Sequence, residues 1–317
     1  MTVSQFLQTP HATAFSIEVL PPVRGKSIEN VYRTIDRLMA YNPAYINITT
    51  HRTETIYHEV EDGRFERLSV INRPGTVAIA AALKGRYGLP TVPHLICSGF
   101  TRAEIENELI DLSFLDITDL LVLRGDRAKG DNRFIPTVGG HEHAIDLCKQ
   151  VNAFNEGLLI DGTQCCVPSQ PFTYGVAGYP EKHDEAMNWD EDVKQVIEKV
   201  RAGAQYVVTQ MFFDNKKYFH FVDKLREAGI TVPVIPGLKP LTTLNHRSML
   251  PKTFHIDFPA ALVRELHRCQ NNDDVKAVGV DWAIQQAREL KAAGVPSIHF
   301  YSMNAAASIE KIAQAVW

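Results

Sequence analysis

Several signatures are missing from this 317-residue chain, and each absence closes a class of function. No G-x-G-x-x-G follows an apolar run and there is no G-x-x-x-x-G-K-[ST]. Neither the dinucleotide fingerprint nor the phosphate loop of nucleotide hydrolases is therefore present. H-E-x-x-H is absent, and the 12 histidines show no metal-ligand spacing, so no metal is expected. No G-x-S-x-G elbow points to a serine hydrolase. Cysteine is scarce and odd in number: Cys97, Cys148, Cys165, Cys166 and Cys269, without a C-x-x-C. That usage argues against a disulfide framework or zinc ribbon and suits a reducing, cytoplasmic setting. No run of about 18 apolar residues exists to span a membrane. The opening MTVSQFLQTPHATAF lacks a basic stretch followed by an apolar one and is not read as a secretory leader. Lys plus Arg (33) falls short of Asp plus Glu (37), so no basic surplus suits nucleic acid or an anionic membrane surface.

What is present is a full complement of core residues: 45% hydrophobic and 22% charged. Apolar runs of strand type recur at 14–20, 45–50, 91–97, 120–125, 174–178, 206–213, 232–238 and 297–302. Most lack strict alternation, as expected of parallel strands covered on both faces. Helical patterns lie between them. Residues 28–40 place Val31, Ile35 and Leu38 on one face. Thr101 with Glu104 forms a capping-box signature ahead of 104–114. Asn188 caps 189–202, residues 281–293 run into Gly294, and 305–316 close the chain. Eight strands alternating with helices predict an α/β fold, a single (β/α)8 TIM barrel over 1–317, with a doubly wound open sheet as the alternative. The polar, poorly periodic segment 52–75 reads as a lid or an excursion over the barrel mouth.

In a barrel the chemistry gathers at the C-terminal ends of the strands. The polar residues there are Glu18, Thr49, Thr50, His94, Arg124, Gly125 and Asp126, the stretch Gly178 to His183, Gln210, Asp214, Lys239, His299, Tyr301 and Asn304. Glu18 stands between Ile17 and Val19, so it is either half of a structural ion pair or an acid held protonated by desolvation. His94 reads equally as a core histidine, and Gln210 as a structural hydrogen-bonding group. Arg124-Gly125-Asp126 is either a Gly-Asp turn or a phosphate grip with close backbone approach. His141 and His143, after a Gly-Gly loop, read as a surface or cofactor-lining pair.

Seven stretches together carry a resemblance: SIEVLPP (16–22), VPHLIC (92–97), VLRGD (122–126), VAGYPEKH (176–183), TQMFFD (209–214), IPGLKP (235–240) and HFYSMN (299–304). In this order they resemble the methylenetetrahydrofolate reductases, flavoproteins of folate metabolism. The resemblance implies a (β/α)8 barrel of the short bacterial form, without a C-terminal regulatory domain. It also implies FAD, with NADH or NADPH as co-substrate in a ping-pong reaction yielding 5-methyltetrahydrofolate for methionine synthesis. Glu18 matches the catalytic acid. Thr49, His94, Arg124, Gly125 and Asp126 match FAD contacts, with Asp126 also facing the pterin as a catalytic residue. His143, Ala144, Tyr179, His183, Ala186, Asp192, Gln195 and Lys199 match further cofactor positions, Gln195 replacing a commoner asparagine. Gln210 and His246 fall on the substrate side, with His246 where Gln is common. Ala305, also on that side, stands where Arg is common. Bacterial relatives form homo-oligomers, so the same is expected here. A flavin-free barrel enzyme and a catalytically silent binding subunit remain rival readings.

Overall fold

The computed structural model describes residues 1–128, 130–302 and 305–317. Strands and helices alternate as the apolar spacing demands. A short helix α1 (Val3–Gln8) precedes β1 (Ala14–Val19), α2 (Glu29–Leu38) and β2 (Ile46–Ile48). A hairpin, β3 (Glu54–Glu59) and β4 (Phe65–Val70), interrupts the alternation before α3 (Thr76–Tyr87). Then come β5 (Thr91–Ile96), α4 (Arg102–Phe114), β6 (Asp119–Leu123), α5 (Ala144–Asn155), β7 (Thr173–Gly178) and α6 (Trp189–Arg201). The last third holds β8 (Tyr206–Thr209), α7 (Asn215–Glu227), β9 (Val234–Ile235), β10 (Gly237–Leu238), α8 (His246–Phe254), α9 (Ala260–Arg268), α10 (Asn272–Ala292), β11 (Ser297–Tyr301) and α11 (Ala306–Val316).

Nine strands form one sheet in the order β10-β11-β1-β2-β5-β6-β7-β8-β9, every pair parallel. β9 and β10 are halves of one strand broken at Pro236. The proline has no N–H for the ladder, and its carbonyl accepts from His299 N (2.9 Å). Side chains bridge the break: Gly237 N donates to Thr209 Oγ1 (3.0 Å) and the Tyr301 hydroxyl to the Thr209 carbonyl (2.6 Å). Only glycine fits at 237, because a Cβ would stand 2.3 Å from the Thr209 carbonyl oxygen. The cylinder is thus the expected eight-stranded α/β barrel, with strand seven in two pieces.

Most element ends shift by a few residues from the sequence reading, and three differences are larger. β8 ends at Thr209, and Met211, Phe212 and Phe213 continue as irregular buried chain that packs into the core. α10 starts nine residues before 281, at an Asn271–Asp274 capping box. Segment 52–75 contains the β3–β4 hairpin, unpaired with the barrel and largely exposed. The caps at Thr101 and Asn188 form as read, accepting from Glu104 N (3.2 Å) and Glu191 N (2.9 Å). Among the described residues no helix is long and apolar enough to cross a membrane.

The main core lies between the sheet and its helices, with Phe15, Ile17, Leu120, Val176 and Phe300 facing Ile35, Leu83, Leu109, Val196 and Ile309. A separate apolar cluster includes Tyr45, Val92, Leu121, Tyr206, Val208 and Ile235 from the strands, and α1 covers it with Val3 and Leu7. Asp119 pins that helix: its Oδ1 accepts from Val3 N and from Thr173 Oγ1, both at 2.8 Å. Burial pushes the Asp119 carboxyl upward against the pull of those donors. Asp119→Ala leaves one buried and one half-buried donor without an acceptor and is expected to lower stability by about 1–3 kcal/mol. Asp119→Asn, which keeps an acceptor, should lose less; urea unfolding of both variants checks the order.

Candidate active site

Glu18 is the next-to-last residue of β1, in register with Asn47 of β2 and Tyr301 of β11. Its side chain is buried at the open end of the cylinder, and its carbonyl accepts from Ser302 N (3.3 Å) and the Ser302 hydroxyl. Two imidazoles face the carboxylate: His94 Nε2 at 3.6 Å and His299 Nε2 at 4.0 Å. His94 also meets Asn47 Nδ2 (3.4 Å), and His299 Nδ1 meets Ser16 Oγ (3.0 Å), which lies 3.3 Å from Ser297 Oγ. A polar thread therefore runs from Glu18 through His299 to two serines inside the barrel.

The apolar sequence flanks of Glu18 led to the expectation of a raised pKa, and the structure corrects it. Burial is the largest single influence and does push the carboxyl upward. The facing His299 imidazole, with the influence of His94 and the Lys239 ammonium, outweighs it, leaving Glu18 below the ordinary glutamate range. Ile17 and Val19 are neighbours in sequence, whereas the groups that set the charge come from other strands. Burial in turn pushes His94 down to about 4, although Glu18 opposes the shift. Lys239, after β10, is lowered by burial and supported by Glu18. His51 is lowered by burial and by Arg73 while feeling the carboxylates of Asp126 and Glu18.

A second group gathers where β6 and β7 end. The Arg124 guanidinium donates to Glu185, approaches His183 Nε2 (3.5 Å) and lies 4.7 Å from the Phe134 ring centroid. Its hydrogen bond holds the Glu185 carboxyl low despite opposing burial. Asp192 Oδ2 accepts from His183 N (2.8 Å), and the Tyr179 ring meets His183 edge-on at 4.8 Å. Gly125, at φ +81°, turns the chain where a side chain would strike Ser98 Cβ at 2.9 Å. Ser98 Oγ in turn donates to the Asp126 carbonyl (2.6 Å). A cavity of about 330 Å³ opens here, lined by Arg124, Arg133, Phe134, Ile135, Pro136, Glu142, His143 and Glu185. Two guanidiniums beside an aromatic ring and open space fit an anionic aromatic nucleotide.

The sequence-predicted residues divide between these groups and positions away from them. Glu18 and His94 meet, as do Arg124, His183 and Asp192, with His143 on the cavity wall. Thr49 Oγ1 lies against His51 Nε2 (3.1 Å), and Gln210 Oε1 folds back to accept from Met211 N (2.9 Å). Thr242 N donates to His246 Nδ1 (3.2 Å), and Ala186 N donates to the His183 carbonyl (3.1 Å). Ala144 begins α5, and Gln195 is exposed on α6. Lys199, which matches a cofactor position, donates to the Ala177 carbonyl (2.8 Å) and is lowered by burial. Asp126 is exposed, its charge felt by His51 and Tyr179. Asn304, with Met303, lies outside the described residues. Sequence reasoning missed Asn47, Ser16 and Glu185. A polar residue inside an apolar strand was the available signal for the first two; Glu185 has none, because its role depends on a loop folding back to Arg124.

These fields give a titration test. Glu18→Gln removes the charge that raises His94, so His94 should titrate lower still. His299→Asn should let the Glu18 carboxyl move upward. Histidine-selective ¹⁵N and glutamate ¹³C NMR titrations read both, and unchanged midpoints would refute the coupling.

Comparison with known proteins places these residues in context. The family model described as methylenetetrahydrofolate reductase matches residues 3–316. The 5,10-methylenetetrahydrofolate reductase of Salmonella typhimurium is 28% identical over 92% of this chain and 86% of its own length. Methylenetetrahydrofolate reductase (NADH) 1 of Arabidopsis thaliana is 28% identical over 92% of this chain, which spans only 46% of that protein. Among solved structures, a Clostridium thermocellum protein described as binding two copies of 5-methyl-5,6,7,8-tetrahydrofolic acid superposes with a TM-score of 0.60 at 13% identity, covering 99% of this chain and 98% of that one. A 2,3-dimethylmalate lyase gives 0.52 at 8% identity, covering 98% and 82%; these two likenesses show the barrel fold.

Proposed function

The chain belongs to the methylenetetrahydrofolate reductase family, and on that footing we propose that it reduces 5,10-methylenetetrahydrofolate to 5-methyltetrahydrofolate with NADH or NADPH, using bound FAD. The observation that carries the reading is the buried Glu18–His94–His299 cluster at the barrel mouth, close to a cationic, aromatic-walled cavity. FAD, when bound, supplies hydride transfer between the nicotinamide and the folate. Arg124 and Arg133 would hold its anionic part, with Phe134 and His143 along the same wall. Glu185 now engages Arg124 and would have to yield it to a phosphate.

Glu18 would deliver a proton to N10 of the folate, opening the five-membered ring to a cationic iminium. Because its neighbours favour the carboxylate, the proton belongs to the cluster rather than to Glu18 alone. Substrate covering the mouth removes water and favours the neutral acid, while His94 and His299 face the carboxylate that remains after donation. Asp126, exposed at the end of β6, would place its charge near the iminium.

Purified protein should be yellow. Glu18→Gln should keep its flavin and still oxidise NAD(P)H with menadione, while folate reduction falls by about 10²–10⁴-fold. Full folate turnover in that variant would remove Glu18 from the acid role. Arg124→Ala should weaken flavin retention at least about tenfold, read by fluorescence during reconstitution. A colourless preparation that cannot be reconstituted would favour flavin-free chemistry on this barrel.

A further inference from the structure

We infer that the recess between the β1–α2 loop and the end of β11 binds the carboxylates of the substrate's glutamate tail, through Lys26 and Arg73. The inference rests on the folate reading above. A folate joins its reacting pterin to an aminobenzoyl group and then to a dicarboxylate. With the pterin end at Glu18, the anionic end must pass along the rim, where a carboxylate is already buried. Cations beside the exit are what this path requires.

The recess lies beside the strand end that carries the acid. Its volume is about 170 Å³, and its lining includes Val19, the residue after Glu18, and Ser302, which holds the Glu18 carbonyl. Lys26, Asn30 and Arg73 also line it. Its walls are fastened together. Arg24 N donates to the Asn72 carbonyl (2.8 Å), the Arg73 guanidinium donates to the Pro21 carbonyl, and Lys26 N closes a turn on the Val23 carbonyl (3.0 Å). The chain returning from the β3–β4 hairpin is thus tied to the loop after β1, and the two cations reach one space. That gives segment 52–75 a purpose: it delivers Arg73.

Three other cations near the mouth are already engaged, while Arg133 lines the separate cavity beside Arg124. Lys239 is buried in the field of Glu18, Arg124 is on Glu185, and Arg52 donates to Ser98 Oγ (3.2 Å). Among the described residues, neither Lys26 nor Arg73 has a carboxylate within 4.0 Å. Ala305, just past β11, contributes no charge.

The test titrates full-length protein with 5-methyltetrahydrofolate and with 5-methyltetrahydropteroate, which lacks the glutamate, by calorimetry. Wild type should bind the folate about tenfold tighter, the scale of one or two partly exposed ion pairs. Lys26→Gln combined with Arg73→Gln should erase that preference. Lys26→Glu, at an exposed position, serves if loss of the Arg73–Pro21 bond loosens the loop, and it should also weaken folate binding. A retained preference in the variants, or equal binding of both ligands by wild type, overturns the subsite and leaves the folate reading standing. A loss that falls on NADH or NADPH instead reassigns the recess to a nucleotide phosphate and overturns it too. Failure of wild type to bind either pterin would defeat the folate reading and this inference together.

Discussion

A carboxylate enclosed by imidazoles inside a ring of parallel strands cannot stand alone, because an isolated buried charge is strongly unfavourable. Much of the upper barrel answers that constraint. His94 and His299 face Glu18 from strands on either side, Lys239 adds positive potential, and Asn47 and Ser16 steady the imidazoles. Removing any of these changes the balance on Glu18. The site is therefore a coupled electrostatic unit, and its protonation is a property of four strands together.

The second half of the site follows a different logic. Around Arg124 the groups come from loops rather than strand interiors, and they neutralise one another across half-exposed contacts. Glu185 gives Arg124 a partner within the protein, so an incoming anion meets an ion pair rather than a bare cation. Ser98 and Gly125 link the two regions, since Ser98 sits at the end of β5 and supports the turn that begins with Arg124.

The barrel was legible because its signal is local: near-continuous apolar runs, helix caps at Thr101 and Asn188, and a regular alternation. The break at Pro236 was printed in the sequence but needed the neighbouring strands to interpret. Glu18, His94 and Arg124 stood out as polar groups near strand ends, and the structure brings each into a cluster. The charge state of Glu18 was not legible, because it depends on residues 76 and 281 positions away. The inward reach of Lys199 was not legible either: its ammonium meets the Ala177 carbonyl at the end of β7, a contact that only the packing of α6 on the sheet creates. The hairpin in 52–75 escaped notice because both its faces are exposed, which removes the alternation that marks a half-buried strand.

The interruption at Pro236 has a mechanical side. A cylinder closed by continuous ladders resists deformation evenly, but this one has a joint where strand seven is fastened partly by a threonine hydroxyl and a tyrosine hydroxyl. Each half of that strand is held by only a two-residue ladder to its neighbour. Lys239 follows the broken strand directly, and His299 donates its amide to the Pro236 carbonyl. Any opening of the joint would move both relative to the acid, so flexing of the wall would be felt as a change in charge at the mouth.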